Sequence, residues 1–574
     1  MNKILFLALA ALAVSCVPSD GVHTLHLLTT NDVHGKWFDT EYSGKATQNS
    51  LMAVNYYVDS IRKADGAQNV LLLDAGDCLQ GDNATYYYNY VDTVSEHLFP
   101  RLVSYMKYDG ITVGNHDVEA GHRVYDRVRK DLRRHGIPFF GGNAIRNDNG
   151  KPYFDVYKVY KKAGLKVLVL GYTNANNPAW MDEILWSGMH FESLIPLVQK
   201  DVDRYTAKTR PDVVIVTVHS ATGDGDGKQL EAQGSDLYRS LRGVDFLVCS
   251  HDHREMTFGN GSIALINTGN RAKYLGHGTL SITYRRGREV GRKVSSELIP
   301  VDKKKTDPAM KELFKPEFEA VKAFSNEEIG ALAVDLKTRD AYIGMCPYID
   351  FLHTVMLRGT GADVSFAAPL TFNGIIRSGV VKHDDLFKIY PFENGLYCIR
   401  MSGKEIKDYL EFSYDHWLAS PGGEHALRIV KGDDPRNDQK GWSFVYRPYN
   451  FDSAAGINYT VDINQAKGKR ISISSMADGR LFDMLADYKV AVTSYRASGA
   501  GGLLTRGAGI REEELQGRIL NRYPEIREFI YDFFKEYGLV DEGSIYDASR
   551  NGRWCFIPEE DASRRIEADL DLMF

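Results

Sequence analysis

The chain has 574 residues, 43% of them hydrophobic and 25% charged, with a formal net charge of −6. That length exceeds what one hydrophobic core supports, so two domains with connecting segments are expected. The charge balance excludes a basic nucleic-acid wrapper, and after the first 16 residues no stretch approaches the ~20 apolar residues of a membrane span.

The N-terminus carries Lys3, an apolar run from Ile4 to Val14, and small residues leading to Cys16. A short positive segment before a brief apolar run reads as a secretory signal, not a mature helix. Its "AVSC" ending resembles a bacterial lipoprotein cleavage site, so residues 1–21 are set aside as signal peptide and lipoprotein N-terminus. Cys16 would then be lipidated, and the protein an exported cell-envelope lipoprotein, periplasmic or cell-surface. The membrane would be met only through that anchor. The five later cysteines (Cys78, Cys249, Cys346, Cys398 and Cys555) are odd in number and lack metal-type spacing. One disulfide is compatible with export, but its pairing and the oligomeric state are not legible.

From residue 22 to 300 strand and helix patterns alternate, the signature of an α/β domain. Strands are expected at "LHLLTTND", "NVLLLDAGD", "DGITVGNHD", "LKVLVLGYT", "PDVVIVTVHS" and "VDFLVCSHDH". Leu51, Val54, Val58 and Ile61 recur at helical spacing, as do Ile195, Val198, Val202 and Tyr205. Residues 301–325 read as a charged linker with one exposed helix. Residues 326–552 form a second domain of mixed strands and helices, broken by Gly-rich loops at 421–423, 499–502 and 507–509. Residues 553–574 read as a short acidic tail.

Five of the six strands end in metal-type side chains. They deliver Asp32-Val33-His34, Asp77, Asn115-His116, His219 and His251-Asp252-His253. Ligands gather outside the carboxyl ends of strands in open α/β folds, so these tips can converge. In Asp-x-His and His-x-His, side-chain direction alternates with period two along an extended segment, so each pair can grip one centre. Asp77 has two oxygens and could bridge two cations. The mixed carboxylate, imidazole and amide shell suits two divalent ions such as Zn²⁺, Mn²⁺ or Fe²⁺. A lone His after a strand is ordinarily a hydrogen-bonded loop residue, and Asp77 alone could cap a helix. Independent caps do not explain five such strand ends in one domain.

In order, "TNDVHG", "GD" at 76–77, "GNHD", the His after a long apolar strand and "HDH" resemble the calcineurin-like metallophosphoesterases. Within them the chain resembles the 5'-nucleotidase family. The resemblance implies an N-terminal metallophosphatase β-sandwich flanked by helices and a C-terminal α/β nucleotide-binding domain. It implies that Asp32, His34, Asp77 and His253 hold one metal, and Asp77, Asn115, His219 and His251 the other. His116 matches the family's catalytic histidine beside the phosphate. The usual "GNHExD" becomes "GNHDVE", which puts Glu119 at the position that orients His116 and leaves Asp117 to support the loop.

In the second domain "FNGIIRSG" partly resembles the family's "NGGGIR" turn, with Arg377 as a phosphate contact and Asn373 beside it. "IYPFENG" resembles the loop bearing one aromatic plate for the base, either Tyr390 or Phe392. "SYRASGAGG" resembles the loop bearing the second, Tyr495. Stacking between two aromatics grips any base. "SYRASG", "SGKEIKDYLEFS" and "RPYNFDSAAGINYTVDI" are similar to the 2',3'-cyclic-nucleotide 2'-phosphodiesterase/3'-nucleotidase branch, and the Asp that 5'-nucleotidases carry in the last loop falls at Gly501. A nucleotide substrate, not a duplex, is therefore expected. The cyclic- and 3'-nucleotide branch is narrowly preferred over a 5'-nucleotidase or UDP-sugar hydrolase. A thiosulfonate-type hydrolase would have no base to stack. A non-catalytic nucleoside-binding surface lipoprotein would not need the complete ligand set.

Overall fold

The computed structural model describes residues 18–432 and 441–574, so the expected signal segment and Cys16 lie outside the described residues. The chain divides into two compact units. The first ends at Pro178 and resumes over Glu183–Lys322, and the second comprises Ala179–Asp182 and Ala323–Phe574.

The first unit holds two six-stranded sheets. One runs in the order Arg288–Pro300, Tyr274–Arg285, Gly21–Thr30, Val70–Asp74, Gly110–Thr112 and Phe139–Phe140. The other runs Glu255–Gly259, Ala264–Thr268, Phe246–Val248, Val213–Val218, Leu165–Tyr172 and Tyr157–Lys162. Alternation along Leu165–Tyr172 shows the layering. Val167 and Val169 join Leu27, Leu73 and Ile282 in the core between the sheets. Leu168 and Leu170 face Val198, Val202 and Tyr205 of the Leu194–Thr209 helix. Every expected strand is present, and the four strands from Gly21–Thr30 to Phe139–Phe140 pair in parallel, as do Leu165–Tyr172, Val213–Val218, Phe246–Val248 and Ala264–Thr268. The antiparallel strands that flank them carry no strand-end metal motif and were not among the expected ones.

Residues 301–325 differ from the expected single exposed helix. They form two helices, Pro308–Leu313 and Lys315–Ser325, whose Met310, Phe314 and Val321 are buried. Phe318 packs edge-on to Phe38 at 5.2 Å and stacks on Tyr42 at 5.9 Å, within the first unit.

The second unit is built on a five-stranded sheet ordered Ser453–Ala455, Val364–Ala367, Asp487–Thr493, Gly395–Ser402 and Ile519–Glu525. The helices Pro347–Thr360 and Ile526–Tyr537 pack into one of its cores, and Gly403–Trp417 into another. Residues 553–574 correct the reading as a tail. Trp554–Ile557 pairs in parallel with Ile457–Asp462, and the helix Glu559–Met573 buries Ala562, Ile566, Leu570 and Met573. None of the five described cysteines forms a disulfide, and no helix among the described residues is long and apolar enough to cross a membrane.

Candidate active site

In the first unit the strand ends from both sheets meet. Asp32, His34 and His253 form one group of potential ligands, and Asp77, His219 and His251 form a second. In the first group the Nε2 atoms of His34 and His253 are 3.1 Å apart, and His253 Nε2 lies 3.5 Å from Asp32 Oδ1. In the second, His219 Nε2 lies 3.2 Å from Asp77 Oδ2 and 2.9 Å from Asn115 Oδ1, while His251 Nδ1 lies 2.8 Å from the same Asn115 oxygen. Two ligands on one zinc-like ion at ~2.1 Å stand roughly 2.9–3.4 Å apart, so most of these spacings are those of atoms sharing a cation.

The route to this convergence differs from the expected extended pairs. Asp32, His34, Asp77, His251 and His253 all have left-handed backbone, with φ of 49°, 48°, 60°, 76° and 57°. Each such residue costs about 1–2 kcal/mol, and clusters of such outliers mark functional sites. The turn geometry also sends His251 and His253 to different groups, so the expectation that His-x-His grips one centre is wrong. Period-two alternation holds only for extended chain.

The loops are tied together locally. Asp32 N donates to Gly76 O at 2.8 Å, and His34 N to Asp77 O at 3.0 Å. Two glycines permit the approach. A Cβ on Gly114 would stand 2.1 Å from Asp77 Oδ1, and one on Gly76, at φ +101°, would stand 2.7 Å from His219 Nδ1. Asn31, which sequence reasoning missed, donates to Asp32 Oδ2 at 2.6 Å and to Gly269 O at 2.8 Å. Its only sequence signal was adjacency to Asp32.

The donor chemistry fits divalent cations. Asp32 and Asp77 are buried carboxylates whose charge partners among the described residues are histidines. Burial works against their ionisation, yet the His253 contact for Asp32 and the His219 and His116 charges for Asp77 hold both below the usual carboxylate range. Burial pulls the His34 imidazole down to about 4 and His251 to about 3, so both keep a lone pair. Burial also opposes charge on His219, but the Asp77 carboxylate overrides it and raises it to about 9. His219 Nδ1 is 2.8 Å from Ala75 O, a partner that fixes the ring with Nε2 facing Asp77. Proton-bearing contacts thus stand where cations would otherwise neutralise buried acid.

"GNHDVE" begins a short helix, Asn115–Glu119. His116 N donates to Asp77 Oδ1 at 2.8 Å, and His116 Nδ1 lies 2.5 Å from Glu119 Oε2. Asp117 is fully buried and turns away from His116. Its Oδ2 accepts from Asp77 N (3.0 Å) and Gly114 N (2.7 Å), and its Oδ1 from Cys78 N and Leu79 N, both at 2.9 Å.

In the second unit Phe392 and Tyr495 are half-buried and both neighbour Tyr449, whose ring stands at 79° to Phe392 (6.0 Å) and 89° to Tyr495 (6.4 Å). Tyr390 is corrected as a candidate plate. It is 2% exposed, sits in the hydrophobic core and has its hydroxyl 3.2 Å from Asn394 Nδ2, so no base can reach its face. Tyr449 lies in the quoted "RPYNFDSAAG" stretch, but nothing in that pattern distinguished it from a core ring. Arg496 explains why the loops meet. Its buried guanidinium forms a two-point pair with Asp452 at 2.7 and 2.9 Å and donates to Asn450 Oδ1 at 3.0 Å. Asn373 and Arg377 are exposed, and Arg377 pairs with Asp335 at 2.8 Å, away from the aromatic loops in sequence and in bonding.

Residues 327–506 match the family model described as 5'-nucleotidase, C-terminal domain, and residues 50–258 match the one described as bacterial capsule synthesis protein PGA_cap. A 2',3'-cyclic-nucleotide 2'-phosphodiesterase/3'-nucleotidase of Haemophilus influenzae is 22% identical, over 93% of this chain and 87% of its own. A 5'-nucleotidase of Vibrio cholerae is 24% identical, over 68% of this chain and 76% of its own. Among solved structures, a Staphylococcus aureus protein assigned as a 5'-nucleotidase superposes with a TM-score of 0.74 at 21% identity, covering 93% of this chain and 99% of that one. Residues 327–506 thus carry the match to the 5'-nucleotidase C-terminal domain, and over most of its length the chain is similar to nucleotidases and nucleotide phosphodiesterases.

Proposed function

We propose that this chain is a dimetal nucleotide phosphohydrolase, acting on 2',3'-cyclic nucleotides and 3'-nucleotides in preference to 5'-nucleotides and UDP-sugars. The observation that carries the reading is the pair of Asp/His groups flanking Asn115 with the His116–Glu119 couple beside them. Asp32, His34, Asp77 and His253 would hold one divalent cation, and Asp77, Asn115, His219 and His251 the other. Two cations so held would supply Lewis acidity toward phosphate and lower the pKa of water. Glu119 fixes the His116 ring by Nδ1, and His116 Nε2 would stabilise or protonate the departing ribose oxygen. Buried walls around Asp32, Asp77 and His219 keep bulk water from screening the anionic phosphate.

Gly501 supports the preference between branches. With φ at +76°, a Cβ there would stand 2.6 Å from Asn450 Oδ1 and 2.7 Å from Arg496 Nη1, so the loop has no room for the Asp of 5'-nucleotidases. Phosphate release from 5'-AMP, 3'-AMP, 2',3'-cyclic AMP and UDP-glucose, before and after chelation and Mn²⁺ or Zn²⁺ return, tests the reading. Chelation is expected to abolish release and metal to restore it. Release that survives chelation sinks the dimetal mechanism, and a best rate on 5'-AMP reverses the branch.

A ring nearly perpendicular to two others is what the back wall between two stacking plates needs. Tyr449→Ala is therefore expected to raise KM for nucleotides roughly five- to a hundredfold, the range of one lost stacking contact. Hydrolysis of glycerol phosphate, which has no base, should stay unchanged. An equal loss on both substrates would assign Tyr449 to packing alone.

A further inference from the structure

The parallel strands of both sheets run toward the metal-ligand loops, so their starting ends and the ends of the intervening helices share the opposite face of the first unit. Two hairpin tips lie there. The tip joining Tyr157–Lys162 to Leu165–Tyr172 reads "KKAGLK", and the tip joining Tyr274–Arg285 to Arg288–Pro300 reads "RRGR". Together they carry six basic residues and no acid, in a chain of net charge −6. Lys162 pairs with Asp109 at 2.9 Å. Lys161, Lys166, Arg285, Arg286 and Arg288 are exposed and form no salt bridge among the described residues.

Helix ends add Arg133, Arg134 and Lys208 to the same face. Those three complement the helix macrodipole and need no other explanation. The hairpin tips end no helix, so the dipole does not account for them. The nearby acids are otherwise engaged: Asp20 accepts from the backbone of Arg286 and Gly287, Glu289 pairs with Arg292, Asp155 accepts from Phe139 N at 3.1 Å and Asp212 from Lys166 N at 2.7 Å, and none forms a salt bridge with the five exposed cations.

The start of the described chain is fastened to both tips. Asp20 accepts from Arg286 N at 2.7 Å and Gly287 N at 3.0 Å, and His23 Nδ1 lies 2.7 Å from Ala163 O. In the sequence Cys16 precedes Asp20 by four residues. We propose that this basic face docks on the anionic headgroups of a lipid bilayer, with the metal loops turned away from the membrane. Each Lys or Arg near an anionic leaflet adds attraction that decays within a Debye length. A basic patch beside a lipid anchor adds electrostatic attraction to anionic headgroups and sets which face of the chain meets them. Docking of this kind lies outside the proposed activity and does not depend on it.

The test uses the whole chain from Val17 onward, purified without an acyl group. Its partition is measured between vesicles of phosphatidylcholine and vesicles in which roughly a third of the lipid is phosphatidylglycerol, with an expected preference for the second of about tenfold or more. High salt should erase the preference. The combined variant Arg285→Glu, Arg286→Glu, Arg288→Glu, Lys161→Glu and Lys166→Glu should erase it at low salt. The milder pair Arg285→Gln and Arg288→Gln, with melting temperature recorded, should weaken it in a folded chain. Equal partition into both vesicles overturns the proposal, as does a preference that both variants retain. Binding of soluble polyphosphate without vesicle binding also overturns it, and assigns the face to a soluble polyanion.

Discussion

Replacing His116 with Ala is expected to lower nucleotide turnover by about 10²–10⁴-fold, the usual contribution of a positioned general acid, while leaving bound metal nearly unchanged. The separation follows from what the residue touches. Its backbone N–H, which an alanine keeps, donates to Asp77 Oδ1 at 2.8 Å, so that carboxylate of the second group stays in place. Its ring pairs with Glu119 and belongs to neither group of potential ligands. The measurements are turnover on the preferred nucleotide and metal content of the purified variant. A variant with full metal and full turnover would remove His116 from the reaction. A variant that loses metal and turnover together would make it a ligand, and the two-group assignment would need redrawing. Loss should also be smaller for a substrate with a better leaving group, because less protonation is required there.

The convergence of the strand-end Asp and His residues was legible because parallel strands and side-chain chemistry combine. Asp77, Asn115 and His219 each follow a short apolar strand, and three of those in one α/β domain already converge by topology. How they converge was not legible. A sequence does not state that five ligands adopt left-handed backbone, because that conformation is imposed by bonds from other loops, such as Asp32 N to Gly76 O. The aromatic loops divide the same way. Tyr390 and Phe392 flank one proline and have equal stacking capacity, and only packing puts the first in the core. Tyr449 reaches its neighbours because Arg496 and Asp452 pin two segments far apart in the chain. The last 22 residues were misread for a different reason. Glu559, Glu560, Glu567 and Asp571 lie on the outer face of Glu559–Met573, while Ala562, Ile566, Leu570 and Met573, at helical spacing, bury the inner one together with Asp569. Composition outweighed periodicity there, and periodicity was the better guide.

The two acids that follow His116 should fail in different ways. Glu119→Gln is expected to reduce turnover and shift its pH profile, with stability and metal content close to wild type, since the partly exposed carboxylate pairs with the His116 ring. A glutamine still holds the ring by its amide oxygen but lacks the charge that favours the imidazolium, so the alkaline limb of the profile, where the protonated ring is lost, should move to lower pH. Asp117→Asn attacks the scaffold instead. One amide nitrogen would face two backbone N–H groups, either those of Cys78 and Leu79 or those of Asp77 and Gly114. Two buried donors left without acceptors cost about 2–5 kcal/mol. Part of that is offset, because burial and the Asp77 charge push the Asp117 carboxyl up to about 6, and an amide removes the repulsion. The loss should still appear as a lower melting temperature and weaker metal retention, since the bonds lost hold Asp77 and Asn115 in register. Thermal denaturation, metal titration and turnover of both variants decide the matter. If Asp117→Asn keeps its metal and stability while Glu119→Gln keeps its turnover, the division of labour between the two acids is wrong.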